Sequence, residues 1–366
     1  MARTWPAVWS RERPPGVLRL MAAAFGLLVR LRRAAYARGI LTQHHLDRPV
    51  IVVGNISVGG TGKTPLVIWL CEQLRRSGLS PGVVLRGYGG RRARRLEPWL
   101  VSAASDASQV GDEAVLLAAR TGAPVVVGRD RVQAARRAIA AGAEVIIADD
   151  GLQHLALGRD IELAVLDAGR RLGNAHLLPA GPLREPAERL SHLDAVVLNV
   201  DGLPAGESLT PFRAAGAQVA SFVMHLSGDQ LLPLDGQGPT LALTSLAGRR
   251  AHAVAGIGHP ERFFARLAAA GVQVIAHPFP DHHRYRAHEL DFGDALPLLM
   301  TEKDAVKCRG FETANRWFLP VEASFAEADA AALMALIEAR VTQPLAERRA
   351  WPRGPTARIR GPNGQR

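Results

Sequence analysis

Eight consecutive residues, Ser57-Val58-Gly59-Gly60-Thr61-Gly62-Lys63-Thr64, bring together what a nucleoside triphosphate needs from a protein. Gly59, Gly60 and Gly62 let the backbone turn its N–H groups inward, and a helix opening near Gly62 would add its positive dipole end. Lys63 would thread between the β- and γ-phosphates, and Thr64 is placed to ligate Mg²⁺. The usual pattern has glycine where Ser57 stands, so the first turn cannot rely on a glycine-only conformation. Pro65 falls in the first helical turn, where its missing N–H costs nothing. Lysine is itself informative here. Of the 45 lysines and arginines, only Lys63, Lys303 and Lys307 are lysine; arginine elsewhere reads as codon bias, and a compact ammonium survives where a guanidinium fork does not fit.

Phosphoryl transfer from such a loop also needs an acidic residue at a neighbouring strand end to hold the metal. Glu144-Val-Ile-Ile-Ala-Asp149-Asp150-Gly151 supplies two. One of them would reach Mg²⁺ or its waters, and the other would face an attacking group. Gln153 and His154 extend the same loop toward the presumed site.

The elements that must position these residues can be read from periodicity. Val50–Val53 is a β-branched run before the glycine loop, and Leu66, Trp69, Leu70 and Leu74 recur at helical spacing after it. Apolar runs at 83–85, 125–127, 145–148, 163–166 and 196–198 alternate with helical patterns, which predicts a parallel sheet covered by helices. Between Asp201 and Gly238 the chain turns rich in Gly, Pro and polar residues around an extended segment, Val219–Met224. A second α/β unit begins at Ala251 with a strand, a Gly-rich turn, a helix at 261–270 and a strand at 272–276; it lacks Gly-Lys-Thr, so a second nucleotide site is not expected. The final helix is expected at 326–339. The domain reading is an N-terminal helix in 1–40, a nucleotide-binding lobe over 41–215, linker strands with a second α/β lobe over 216–340, and a disordered basic tail over 341–366.

Composition narrows the partners. The formal net charge of +11 points to an acidic one: nucleic acid, anionic lipid or a phosphorylated substrate. Aromatic residues are 5% and no basic helix or stacking cluster occurs, which disfavours nucleic acid. The two cysteines, Cys71 and Cys308, argue for a reducing compartment rather than a disulfide framework. Residues 20–29 are apolar but too short to span a bilayer and carry no cleavage signal. On a helical wheel Arg19, Arg30 and Arg33 share one face, and Met21, Phe25 and Leu28 the other, with Arg32 on the apolar side where it could snorkel. That pattern suits either an interfacial helix or one packed on the protein's own core.

Eight motifs in order then carry a resemblance: Ser57–Pro65, Arg86-Gly-Tyr-Gly89, Val110-Gly-Asp-Glu113, Asp130-Arg131, Asp149–His154, Gly256-Ile-Gly-His-Pro-Glu-Arg-Phe-Phe264, Phe279-Pro-Asp-His282 and Thr301-Glu-Lys-Asp-Ala-Val-Lys307. Together they resemble the tetraacyldisaccharide 4′-kinases of lipid A biosynthesis. The resemblance implies a P-loop NTPase-like α/β lobe and a smaller α/β lobe joined by a two-stranded linker, with the site in the cleft. It implies ATP and Mg²⁺ as cofactors, an acylated disaccharide 1-phosphate as acceptor, and a monomer held peripherally at the anionic cytoplasmic face of the inner membrane. By motif, Asp112 matches the catalytic aspartate and His282 its partner, although either His282 or the adjacent His283 could turn inward. Glu113 would help Thr64, Asp149 and Asp150 bind metal, and Arg131 would offset charge on the transferring phosphoryl. The basic stretch Arg86–Arg95 could meet a phosphate.

A nucleotide-dependent switch or metal-insertion GTPase is the competing class. Val58 stands where the deviant loop of switch ATPases has a lysine, and Thr301-Glu-Lys303-Asp304 has the wrong order for guanine reading.

Overall fold

The computed structural model describes residues 7–201, 213–214, 217–311 and 314–343, so the expected tail beyond 343 lies outside the described residues. The first lobe is built on β1 (Val50–Gly54), β2 (Pro81–Leu85), β3 (Trp99–Val101), β4 (Val125–Val127), β5 (Val145–Asp149), β6 (Ile161–Asp167) and β7 (Ala195–Asn199). A short antiparallel pair, β8 (Arg213–Ala214) and β9 (Ala217–Gln218), precedes β10 (Ala220–Ser227). The second lobe holds β11 (Gln230–Pro233), β12 (Leu241–Ala242), β13 (Arg250–Ala255), β14 (Gln273–Pro278), β15 (Leu298–Thr301) and β16 (Arg316–Leu319), and β17 (Glu322–Ser324) returns to the first. The helices are α1 (Gly16–Ala37), α2 (Lys63–Arg76), α3 (Ala107–Val110), α4 (Asp112–Thr121), α5 (Arg131–Ala140), α6 (Pro260–Ala269), α7 (Glu302–Ala305) and α8 (Glu327–Val341).

The large sheet runs β17-β10-β7-β6-β1-β5-β2-β4-β3, antiparallel only at the pairs β10–β17 and β3–β4. Its central strands are buried on both faces, as their unbroken apolar runs require. Alternation divides the two cores: Ile51 and Val53 pack under α2, α4 and α8, while Val50 and Val52 pack with α5 on the other face. Leu66, Trp69, Leu70 and Leu74 form the buried side of α2, and all five expected inner strands are present. The smaller sheet runs β12-β11-β16-β15-β13-β14.

Two strands connect the lobes. The first half of β10 pairs parallel to β7, and its end, His225–Ser227, pairs antiparallel with β17 as the chain leaves and returns. The expected division at 215/216 therefore does not follow the sheets. β10, β17 and α8 lie beyond it yet complete the large sheet and its core, because Phe222, Met224, Leu333 and Ile337 bury their apolar faces there.

α1 docks by the face that carries Arg33, not by its apolar one. Ala22 and Gly26 are its buried positions, and a Cβ at Gly26 would stand 2.6 Å from Leu177, so the helix docks through its smallest residues. Arg33 turns to the protein and pairs with the buried Glu185 at 2.7 Å, while Arg32 donates to the Gln153 carbonyl. Outward instead runs a stripe of Val17, Leu20, Met21, Leu27, Leu28 and Leu31, each more than half exposed. Among the described residues no helix is long and apolar enough to cross a membrane.

Candidate active site

The glycine loop leaves the carboxyl end of β1 and feeds α2, whose first residue is Lys63. Ser57 does the work of the expected glycine by a different route: its N–H and hydroxyl both donate to Asn55 Oδ1, at 3.0 and 3.1 Å, closing the first turn with side-chain bonds. Val58 N–H donates to the Pro182 carbonyl, bracing the loop from outside. Gly62 has φ +92°, and an added Cβ would meet the Asn199 amide at 2.8 Å. That amide, at the end of β7, donates to the Thr61 carbonyl. Thr61 is buried, Val58 and Thr64 half-buried, and Gly59 and Gly60 open to solvent.

The two aspartates have separate surroundings. Asp149 is the last residue of β5 and stands in register with Val53, beside the root of the loop. It is buried, and its Oδ1 has no hydrogen-bond partner. Burial pushes its carboxyl well above the usual range, and the neighbouring negative charges of Glu113 and Asp150 add to this against Lys63 and Arg131. Asp150 instead lies 3.5 Å from Lys63 and 3.0 Å from Arg184. Burial opposes its charge, but those two cations hold it down at about 2. Arg131 opens α5 behind them, buried, with Nη1 donating to Gly128 O at 2.9 Å and Nε unpartnered. Burial lowers it to about 10, which leaves it cationic beside Asp149 and Asp150.

The donor set fits a hard divalent cation. A buried carboxylate oxygen without a partner, destabilised by like charges, is what such an ion would relieve. Among the described residues no group of three or more His, Cys, Asp or Glu forms a ready-made cage. Mg²⁺ sites in kinases commonly take only one or two carboxylates, the rest coming from phosphates and water.

Asp112 and His282 meet although 170 residues separate them. His282 Nδ1 lies 3.0 and 2.9 Å from the two Asp112 oxygens. Asp112 is the first residue of α4, and Gly111 before it has φ +94°, with Tyr88 O only 2.6 Å from where a Cβ would stand. Only glycine allows the Arg86–Gly89 segment to lie so close. His282 is held at φ +59° with its N–H donating to Gly256 O, and Tyr88 packs on its ring at 5.1 Å. Burial would raise Asp112, but Lys303, His282 and Lys307 more than offset it and hold the carboxyl at about 2. Burial would lower His282, and its bond to Asp112 outweighs that, raising it above 6.5. His283 turns away to Glu289 at 3.2 Å.

Glu113 is paired to Lys303 of α7 at 3.1 Å, and Lys303 lies 3.7 Å from Asp281. Gln153 donates to Asn55 O and Glu185, serving as a strut of the loop. His154, half-buried beside Arg131 and Arg159, is lowered to about 4 by desolvation and those two charges and stays neutral.

Several site residues escaped the sequence reading. Arg170 donates to Gly60 O at 2.7 Å, pairs with Asp167 and contacts His259, while Arg262 pairs with Asp167 at 2.6 Å, so the second lobe reaches the glycine loop. Asp167 and Asn199 end β6 and β7, and their place at the carboxyl ends of parallel strands was the available signal.

A sequence model of the family described as tetraacyldisaccharide-1-P 4′-kinase matches residues 16–342. The tetraacyldisaccharide 4′-kinase of Alkalilimnicola ehrlichii is 52% identical over 322 residues, covering 87% of this chain and 92% of the relative. That of Xanthomonas campestris pv. campestris (strain 8004) is 48% identical over 324 residues, covering 87% and 91%. Among solved structures, the "apo" form of LpxK from Aquifex aeolicus in complex with ATP matches with a TM-score of 0.73 at 29% identity, over 88% of this chain and 97% of that one.

Proposed function

The chain belongs to the tetraacyldisaccharide-1-P 4′-kinase family, and from that premise we propose that it transfers the γ-phosphate of ATP to the 4′-hydroxyl of a tetraacylated glucosamine disaccharide 1-phosphate, forming lipid IVA in lipid A biosynthesis. The observation that carries this reading is the Asp112–His282 pair, made across two lobes and lining a cavity with Tyr88, Tyr285 and Phe311. A switch GTPase has no use for a base buried between lobes; a kinase for a sugar hydroxyl does.

In this mechanism the loop from Ser57 to Thr64 holds the triphosphate by backbone N–H groups, and Lys63 leaves Asp150 for the β- and γ-phosphates. Thr64, Asp149 and Glu113 would hold Mg²⁺, which when bound supplies charge neutralisation on the phosphate oxygens. Asp150 serves chiefly to place Lys63, to which it is already paired. Arg131 offsets the negative charge gathered around Asp149. Asp112 orients the acceptor hydroxyl and takes its proton late in the transfer, since the hydroxyl is too weak an acid to ionise first. His282 fixes the Asp112 rotamer and adjusts its basicity. Labelled ATP with the purified acceptor lipid, resolved by thin-layer chromatography, tests the reaction. A folded enzyme that hydrolyses ATP but labels no lipid would overturn it.

The exposed stripe of α1 supports peripheral binding at the cytoplasmic face of the inner membrane, where both ATP and the lipid are at hand. Arg19 and Arg30 flank the stripe and suit anionic headgroups. Each exposed leucine is worth about 1.5–3 kcal/mol on full burial. Leu20→Glu with Leu28→Glu should therefore lower the fraction cosedimenting with phosphatidylglycerol vesicles by about tenfold or more, while Tm stays within a few degrees. Unchanged cosedimentation would remove α1 from the interface.

A further inference from the structure

Apolar surface is not scattered over this protein. Among the described residues, every large apolar or aromatic side chain that is exposed lies in one of two segments, 17–41 or 88–100, and the second lobe contributes none. Single exposed leucines are ordinary, but a set confined to two places marks an interaction surface. The first segment is α1 with the turn after it. Beyond Tyr88, which packs on His282, the second takes no part in the mechanism above.

That second segment has the make-up of an interfacial anchor. Leu96 is 77% exposed, and Trp99 and the 42% exposed Leu100 open β3, the edge strand of the large sheet. Arg91 and Arg95, just before them in the chain, are exposed as well. The Arg92 guanidinium lies 3.5 Å from the centre of the Trp99 ring, a cation–π contact that holds the indole in place. Tryptophan and leucine among arginines suit the headgroup level of an anionic bilayer, where the apolar groups meet acyl chains and the guanidinium groups meet phosphates. A second copy of the chain is a poor occupant, because a two-fold contact would set the arginines of one patch against those of the other.

Position favours the same partner. Trp99 pairs with Val127, the last residue of β4, so the segment stands at the carboxyl end of the parallel strands. α1 docks at that end too. Its Arg33 pairs with Glu185, whose N–H donates to Ile56 O just past β1, and its Arg32 donates to Gln153 O just past β5. Asp112 opens α4 on the same rim, where Gly111 packs on the Tyr88 carbonyl.

We propose that residues 91–100 form a second membrane contact, in which Leu96, Trp99 and Leu100 enter the interface of an anionic bilayer and Arg91 and Arg95 bind its headgroups. The proposal rests on the peripheral-membrane reading above and deepens it. One helix holds a protein to a surface but leaves it free to rock about the helix axis; a second contact fixes the tilt, and with it the height of the catalytic rim above the lipid.

Cosedimentation with phosphatidylglycerol vesicles tests it, with phosphatidylcholine vesicles as the uncharged reference. Arg91→Gln/Arg95→Gln should lower the partition coefficient about 25-fold, about fivefold per arginine, and the difference should shrink in about 0.5 M salt. Leu96→Ser/Leu100→Ser should lower it about tenfold or more at either salt concentration. Equal binding of wild type to both kinds of vesicle would overturn the anionic partner. The place of contact is read separately, from a nitrobenzoxadiazole label on Leu96→Cys. Both native thiols, Cys71 and Cys308, are buried and pushed up to about 12, so the label goes to position 96. Its emission should shift to the blue with phosphatidylglycerol vesicles, while the same label on Gln237→Cys, exposed in the second lobe, should not respond. A label at 96 that stays silent, or shifts no more than the one at 237, overturns the proposal. Normal cosedimentation of both variants of this segment, with Leu20→Glu/Leu28→Glu impaired, overturns it as well and leaves α1 the contact; the reverse pattern removes α1 and keeps this surface. A silent label together with a raised KM for deacylated glucosamine disaccharide 1-phosphate in Arg91→Gln/Arg95→Gln would give the arginines to the substrate's own phosphate, and the membrane contact would fall.

Discussion

Lys63→Ala is expected to lower kcat by about 10³-fold or more while leaving the fold intact. The magnitude follows from withdrawing a fixed charge from a developing phosphoryl transition state. The intact fold follows from the environment. Lys63 contributes its charge to Asp150 at 3.5 Å, but Arg184 holds the same carboxylate at 3.0 Å and would remain. No core volume is lost, since Leu66 and Leu70 rather than Lys63 pack α2 on the sheet. Lys63→Arg should fail nearly as badly, because a planar fork cannot take the place of a compact ammonium between two phosphates. Circular dichroism and a thermal melt check the fold, and single-turnover transfer checks the rate. A rate within tenfold of wild type in either variant would remove the phosphate-cradle assignment.

What could be read from the sequence was what is local. The glycine loop, its strand and its helix lie within 27 residues, and periodicity suffices to order them. The inner strands were legible because a parallel strand buried on both faces must be apolar throughout. Asp112 and His282 came from motif order alone; nothing within either segment says that they touch, and the contact depends on how two sheets are joined through β10 and β17. For the same reason the sheet that β10 and α8 complete was not legible. A strand such as β10 and a helix such as α8 look alike whichever sheet they complete, and only the burial of Met224 and Ile337 assigns them. The wheel separated the two faces of α1 but left open whether the apolar one faces the core or a membrane surface. Here Ala22 and Gly26 make the contact and the leucines face out, which only the burial of the two smallest residues decides. The rarity of lysine was visible from the start, but its meaning at 303 and 307 needed coordinates that put both ammonium groups beside Asp112 and Glu113.

The Asp112–His282 pair gives the second large effect. Asp112→Ala and His282→Ala should each lower kcat strongly, by about 10²- to 10⁴-fold for a general base or its partner, with KM for ATP little changed, since neither is asked to hold nucleotide in the ground state. Loss of the His282 contact, at 2.9 Å, leaves a buried carboxylate near Lys303 and Lys307, so Asp112 stays ionised and only its orientation and basicity suffer. Loss of Asp112 removes the proton acceptor itself and should be the poorer variant. If the two act as a unit, the double variant will be scarcely worse than Asp112→Ala. The pH profile adds a sign. Asp112 is held near 2, below its ordinary 3.8, and titrates far under any assay range. His282 is raised above 6.5 by its bond to Asp112. A limb in kcat/KM above that value should therefore belong to the histidine and vanish in His282→Gln. Losses that add in log rate would separate the two residues, and a limb that persists in His282→Gln would assign the titration to another group. A rise confined to KM for ATP would move Asp112 from the acceptor hydroxyl to the metal, because a base that touches only the acceptor has no means of changing nucleotide affinity.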